Sequence, residues 1–155
     1  MEGLGDSWLK RKAWHAIAGV EVGVIGGAAM LLWLVLSSPL IGQAWWLPLN
    51  LFASHYFTYA VVRNGPGLVT LSGSAFLVAI AGLVGALAGL LTPGGRLFGL
   101  GIALTWYLLS YGIFWKKFAP LLLSYGSQPL WIVAFFLYGS ALGWHPDVVR
   151  KIYNS

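Results

Sequence analysis

Three histidines, His15, His55 and His145, are the residues of this chain best suited to hold a cofactor. Imidazole is the usual axial ligand of haem, and it could bind chlorophyll in the same way. If four helices cross the membrane, His15 and His145 lie on the same side and could form a ligand pair near the surface. His55 could instead bind a pigment alone, between Tyr56 and Tyr59. A simpler interpretation places all three histidines at the membrane interface without any cofactor.

Glu21 is the only acidic side chain inside an apolar run of the sequence. An ionisable residue within a membrane is a functional hypothesis by default. Glu21 could relay protons or cations, or it could pair with a charge on a neighbouring subunit. It could also form a hydrogen bond inside the bundle or reach water from the first turns of its helix. Transport usually needs several polar groups that converge at mid-membrane, and Glu21 stands nearly alone.

Other reactive arrangements do not occur in the sequence. There are no cysteines, which removes disulfides, iron–sulfur clusters, cysteine-bound zinc and thiol catalysis. No Ser-His-Asp arrangement, zinc-binding spacing or phosphate-binding glycine loop can be identified. The sequence therefore predicts a protein that is not an enzyme and has no metal site.

The composition predicts a membrane protein rather than a soluble one. Of the 155 residues, 59% are hydrophobic and 8% are charged, whereas soluble domains usually carry about 25% charged residues. We therefore expect a single membrane domain over residues 1–155, folded as an all-α integral membrane helical bundle. The net charge of +5 does not indicate nucleic-acid binding, because the lysines and arginines lie at the ends of apolar runs, where they orient membrane helices.

Four apolar runs are predicted as spanning helices, near residues 14–36, 72–91, 97–115 and 129–144. The first run follows the basic residues Lys10-Arg11-Lys12 and is too long for a cleaved signal peptide, so we predict a retained signal-anchor helix. The last run is predicted to break at His145-Pro146-Asp147, with a short polar tail after it.

Glycines recur at regular intervals in two of these runs. The first run carries Gly19, Gly23 and Gly27, and the second carries Gly82, Gly85 and Gly89. Small residues at such intervals let helix backbones approach closely when lipid offers no hydrophobic driving force. Each face is therefore predicted to form a close helix contact, within the chain or with a partner.

The segment at residues 45–62 combines an apolar composition with groups that do not suit a spanning helix. It would make about 27 Å of helix, which just suffices to cross. However, Pro48 lacks a backbone donor, and the Asn50 amide and His55 ring need polar partners. We therefore predict an interfacial or re-entrant segment and four spans in all, with five spans as the alternative. Most of the nine tryptophans are expected to form an aromatic belt at the helix ends, namely Trp8, Trp14, Trp45, Trp46, Trp115, Trp131 and Trp144.

The distribution of basic residues predicts the orientation. With four spans, one side carries Lys10, Arg11, Lys12, Arg96, Arg150 and Lys151, and the other carries Arg63, Lys116 and Lys117. With five spans the division is again six to three, with the N-terminus on the richer side. The positive-inside rule therefore predicts a cytoplasmic N-terminus in both cases, in a multi-pass protein of the bacterial inner membrane.

The order of these features resembles that of a family of uncharacterised bacterial four-span membrane proteins. The resemblance covers most of the chain. It begins with the glycine-rich helix from Ala18-Gly19 to Gly27 and the aromatic-Pro-x-Asn-Leu motif at Trp46-Leu47-Pro48-Leu49-Asn50-Leu51. It continues with Tyr111-Gly112, Pro120 and the segment Tyr138-Gly139-Ser140-Ala141-Leu142-Gly143. The chain departs from the family at Phe135, where its members often carry a histidine. The resemblance implies four spans and brings no known activity with it.

These observations favour a non-catalytic accessory or structural subunit that packs against a larger bacterial membrane complex, with respiratory or photosynthetic electron transfer as the first candidate. The reasons are the two glycine faces, the short loops and the scarcity of reactive side chains. The expected partners are membrane lipids and other integral membrane subunits. The alternatives are a haem- or pigment-binding subunit, based on the histidines, and a small oligomeric transporter or channel, based on Glu21.

Overall fold

The computed structural model of the chain describes residues 3–57, 59–91 and 95–153. These residues are largely helical and include no strand, which confirms the all-α fold class. The α-helices, in chain order, are α1 (Gly3–Ser37), α2 (Leu47–Phe52), α3 (Ser54–Phe57), α4 (Ala60–Arg63), α5 (Leu68–Leu91), α6 (Arg96–Leu109), α7 (Trp115–Phe118), α8 (Pro120–Tyr125), α9 (Gln128–Leu142) and α10 (His145–Tyr153). A 3₁₀ turn, Ser38–Ile41, follows α1, and a π-helical turn, Ser110–Phe114, joins α6 to α7.

Four helical stretches are long and apolar enough to cross a membrane. They are Trp8–Ile41, Leu68–Leu91, Arg96–Phe118 and Gln128–Lys151. No fifth stretch of this kind occurs in the part of the chain that the structure describes. Residues 45–62 contain the short helices α2, α3 and α4 instead of one continuous helix.

Two helix ends differ from the sequence-based prediction. α1 begins at Gly3, well before residue 14, because lysine and arginine are good helix formers and a turn outside the lipid needs no apolar residues. α10 begins at His145, where we predicted a break followed by a polar tail. Pro146 is the second residue of this helix, and a proline in the first turn removes no intrahelical hydrogen bond. The proline therefore starts a helix here.

α1 lies at the centre of the bundle. α5 and α9 pack against it, and α6 packs against α9. α1 and α5 run antiparallel, since Gly19 lies beside Gly85 while Gly27 lies beside Val78. The outer surface is rich in exposed leucines, such as Leu36 and Leu97, as expected where lipid takes the place of water.

The two ends of the bundle carry different numbers of basic residues. One end, here called the basic end, has α10 and the first turns of α1, with Lys10, Arg11, Lys12, Arg96, Arg150 and Lys151. The other, here called the loop end, has α2, α3, α4 and α8, with Arg63, Lys116 and Lys117. Both ends of the described chain therefore lie at the basic end, as an even number of spans requires.

Candidate functional site

The predicted glycine faces meet each other inside the chain. A methyl group added at Gly23 would lie 2.5 Å from the Ala81 carbonyl oxygen and 3.0 Å from the Gly85 Cα atom. A methyl group added at Gly19 would overlap the backbone of Gly85, and one added at Gly89 would overlap the carbonyl of His15. The remaining two positions also face the neighbouring helix, Gly27 against Ala81 and Gly82 against Val24. This seam between α1 and α5 holds the bundle together and leaves neither glycine face free for a partner.

Asn50 is the polar centre of the segment at residues 45–62. Its side chain is fully buried, and its amide nitrogen donates hydrogen bonds to the carbonyls of Val61 (3.0 Å) and Asn64 (3.2 Å). Its carbonyl oxygen accepts a hydrogen bond from the hydroxyl of Thr70 at 2.6 Å. The amide thus joins α2, α4, the loop after α4 and α5. The need for partners was evident from the sequence, but the identity of the partners was not.

The helix that carries Asn50 lies directly on α5. The Leu49 carbonyl meets the backbone of Gly73 so closely that any side chain at Gly73 would overlap it. Pro48 is in the first turn of α2, where its missing N–H costs no hydrogen bond. Sequence reasoning overlooked Gly73, although it is a small residue between Ser72 and Ser74 at the start of the second apolar run. Together these contacts hold the segment against the bundle at the loop end.

His15 and His145 meet at the basic end, as the four-span topology predicts. Their ring centroids lie 5.5 Å apart. The Nε2 atom of His145 donates a hydrogen bond to the His15 carbonyl oxygen at 3.1 Å, since a carbonyl can only accept. His145 is buried, whereas the Nδ1 atom of His15 has no hydrogen-bond partner among the described residues. The pair therefore ties α10 to α1.

This histidine pair does not fit an axial ligand pair for haem. The Nε2 atom of His145 is already bound to the protein backbone. The cavity next to His145, lined by Gly85, Gly89 and Leu142 among others, has a volume of about 10 Å³, which is room for about one water molecule and not for a macrocycle. The two histidines lie together as the sequence suggested, but they contact each other and the backbone in a way that joins α10 to α1.

His55 lies at the loop end with an exposed side chain. Its Nδ1 atom donates a hydrogen bond to the Phe118 carbonyl at 3.2 Å, and its ring contacts the rings of Tyr56 and Phe118 edge-on. Tyr56 was an expected neighbour, while Phe118 takes the place expected for Tyr59. This hydrogen bond leaves the Nε2 atom as the acceptor, which is the arrangement that ligating histidines commonly show.

Glu21 points away from the bundle. Its side chain is exposed on α1, and the exposed residues one turn away are Ile17, Val24 and Ile25. The structure gives it no salt bridge within the described chain. It lies about 12 Å along the helix from Ala13, well within the apolar part of α1. Glu21 therefore faces the surroundings of the bundle and not a path through its interior.

Aromatic rings between α6, α7 and α9 form a cluster that sequence reasoning missed. Trp115 and Trp131 contact each other with ring centroids 5.1 Å apart, and both are buried. Trp106 contacts Phe135 and Tyr138 in the same cluster. The assignment of Trp115 and Trp131 to an aromatic belt was wrong, because their rings turn inward and pack as core.

No family model matches this chain, and no curated protein or solved structure matches it either. The resemblance to four-span bacterial proteins therefore stays a prediction. Among the residues that the structure describes, no three histidine, aspartate or glutamate side chains lie close enough to hold a metal ion together.

Proposed function

We propose that this chain is a non-catalytic subunit of a larger membrane assembly, in which a partner helix covers the outer face of α1. The observation that carries the proposal is the outward position of Glu21 among Ile17, Val24 and Ile25. Ionisable residues within membranes almost always face protein or a water-filled cavity. An outward carboxyl group therefore indicates that protein covers this face in the assembled state.

The energetic argument concerns what surrounds the Glu21 side chain. An acidic residue at the centre of a membrane helix costs about 3 kcal/mol when lipid surrounds it. A lysine, an arginine or a neutral hydrogen-bond donor on a partner helix would offset that cost. α1 packs closely against α5 through the glycine seam, and Glu21 lies outside that contact. The partner we propose is another integral membrane subunit, and bacterial respiratory or photosynthetic complexes are the first assemblies to test because they recruit small helical subunits.

The experiment is purification of the tagged chain from its native membrane in mild detergent, followed by native mass spectrometry. Wild type should retain a membrane subunit in a fixed ratio, and Glu21→Gln should retain at least about fivefold less, as expected for the loss of a coupling near 1 kcal/mol. The matched control is Asp147→Asn, which removes one negative charge from an exposed side chain on α10. Wild-type chain that purifies alone, or equal retention by Glu21→Gln, would contradict the proposal.

A second candidate function rests on His55. Its Nδ1 hydrogen bond to Phe118 fixes the tautomer in which Nε2 can bind a metal, and its exposed ring could accept a haem or chlorophyll from outside the bundle. The purified complex would then absorb visible light, and His55→Ala would abolish the absorption. A colourless complex that contains stoichiometric chain would rule this function out. The interfacial alternative, a histidine that only caps the end of α7, predicts the colourless result.

A further inference from the structure

We infer that a groove at the basic end binds the phosphate-bearing headgroup of an anionic membrane lipid. The groove lies between the first turns of α1 and the last turn of α5. Its lining residues are Trp8, Arg11, Lys12, His15, Gly89, Leu90 and Leu91. Its volume is about 250 Å³, about 25 times that of the cavity next to His145. That volume is sufficient for a phosphate group with its adjoining glycerol.

The charge of the groove selects an anion. Arg11 and Lys12 place two cations in its wall, and no carboxylate is among its lining side chains that the structure describes. An arginine guanidinium can bind two phosphate oxygens at once, and a lysine ammonium adds a compact charge. The salt bridge between Arg150 and Asp147 lies on the separate helix α10, and among the side chains that the structure describes neither Arg11 nor Lys12 forms one.

Lys12 is held in position at the rim of the groove. Its Nζ atom donates a hydrogen bond to the Leu90 carbonyl at 3.4 Å, and it lies 5.3 Å from the centroid of the Trp8 ring. Leu90 is near the end of α5, where carbonyls lack partners within the helix and attract cations. An ammonium group has three donors, so two remain for a ligand. These two contacts place the ammonium group of Lys12 at the rim of the groove.

The surroundings of the groove favour a lipid over a free anion. Along α5, Leu83, Leu87 and Leu91 form an exposed stripe that leads from the groove toward mid-membrane, with 61%, 52% and 67% of their surface accessible. Such a stripe can pack against acyl chains while the headgroup occupies the basic groove. Basic pockets between membrane helices on the cytoplasmic side commonly hold anionic headgroups. The predicted orientation places the basic end on that side.

The test is a lipid titration of the purified full-length chain, read by native mass spectrometry. Phosphatidylglycerol should bind more tightly than phosphatidylcholine with the same acyl chains. The double variant Arg11→Gln/Lys12→Gln should weaken phosphatidylglycerol binding at least about tenfold, because each basic residue at the surface contributes to the attraction. The matched control is Lys116→Gln/Lys117→Gln, which removes the same charge from the loop end and should change binding less than about twofold.

Further variants separate the contributions of charge, folding and ligand source. Arg11→Lys/Lys12→Arg keeps both charges and should retain most of the binding, which distinguishes a lost ligand contact from a lost fold. Inorganic phosphate at millimolar concentration should not displace the lipid, because it gains nothing from the leucine stripe. Displacement by phosphate would identify a free-anion site instead. Equal binding of the two lipids, or equal weakening by the two double glutamine variants, would overturn the inference. Neither outcome bears on Glu21, so the proposed function is tested separately.

Discussion

The phenol hydroxyl of Tyr138 donates a hydrogen bond to the backbone carbonyl of Ala81 at 2.7 Å. Tyr138 is on α9 and Ala81 is on α5, and the ring crosses the surface of α1 at Gly26, where a methyl group would lie 2.8 Å from a ring carbon. One buried tyrosine thus joins three of the four membrane-length helices. The glycine at position 26 is required because the ring occupies the space that a side chain would need.

Removal of the Tyr138 hydroxyl should destabilise the bundle only modestly. Tyr138→Phe keeps the ring and loses one hydrogen bond, for which we expect a loss of about 1 kcal/mol in the free energy of unfolding. Tyr138→Ala also leaves a cavity in the fully buried site, so its loss should be about 3–5 kcal/mol. Both can be measured by reversible unfolding in mixed micelles. Tyr59→Phe, at an exposed tyrosine, is the control and should have no measurable effect.

Glycine substitutions in the seam between α1 and α5 should lower the free energy of unfolding, whereas substitutions on the exposed surface should not. Gly23→Ala places a methyl group against Ala81 and Gly85, and such overpacking costs about 1–3 kcal/mol. Gly23→Leu should cost more. Gly101 is also helical, but an added methyl group meets nothing within 4 Å, so Gly101→Ala should be neutral or stabilise by about 0.5–1 kcal/mol. The same unfolding assay measures all three variants, and equal effects at Gly23 and Gly101 would show that α1 and α5 do not pack closely.

Asn50 should be essential for the segment at the loop end. Asn50→Leu leaves the hydroxyl of Thr70 and the carbonyl of Val61 without their partner in the Asn50 side chain. Both residues are buried, and each buried polar group that loses its partner costs about 1–3 kcal/mol. The loss of these hydrogen bonds should appear as faster proteolysis between Asn64 and Gly67 and as a lower free energy of unfolding. The double variant Asn50→Leu/Thr70→Val should recover part of it, because the paired polar groups are then removed together. If the loop of Asn50→Leu resists proteolysis as well as the wild-type loop does, Asn50 does not have this role.

The parts of the fold that the sequence predicts are those set by local patterns. The spans follow from runs of apolar residues, and the glycine spacing at Gly19, Gly23 and Gly27 identifies a face that must approach another backbone. The conflict between Pro48, Asn50 and a lipid environment likewise comes from side chains within one short segment. Each of these signals needs no knowledge of which other segment lies nearby.

The parts that the sequence does not predict depend on distant partners or on the outer face. The Tyr138 hydroxyl and the Ala81 carbonyl are separated by 57 positions, and no periodicity links them. The direction of Glu21 was also hidden, because both the buried and the exposed faces of α1 are apolar. In water, the polar face of a helix shows which side is outside. In lipid that distinction disappears, so the outward carboxylate became evident only from the structure.

The final prediction concerns the number of times the chain crosses the membrane. Asn50 finds its partners in Val61, Asn64 and Thr70, so the polar groups of this segment turn back toward the same end of the bundle. A straight spanning helix would place Asn50 and Val61 about 16 Å apart along its axis, and the hydrogen bond between them could not form. We therefore expect residues 45–62 to enter and leave at the loop end.

Alkaline phosphatase fusions distinguish four spans from five, because the enzyme is active only outside the cytoplasm. With four spans and a cytoplasmic N-terminus, a fusion after Asn64 should be active and a fusion after Ser155 should be silent. With five spans both results reverse, because each fusion point then moves to the other side. A fluorescent-protein fusion, which matures only in the cytoplasm, gives the complementary signal at each point and excludes poor expression as the reason for silence. An active fusion at Ser155 with a silent one at Asn64 would mean that the segment crosses, and that the polar contacts of Asn50 do not form in the membrane.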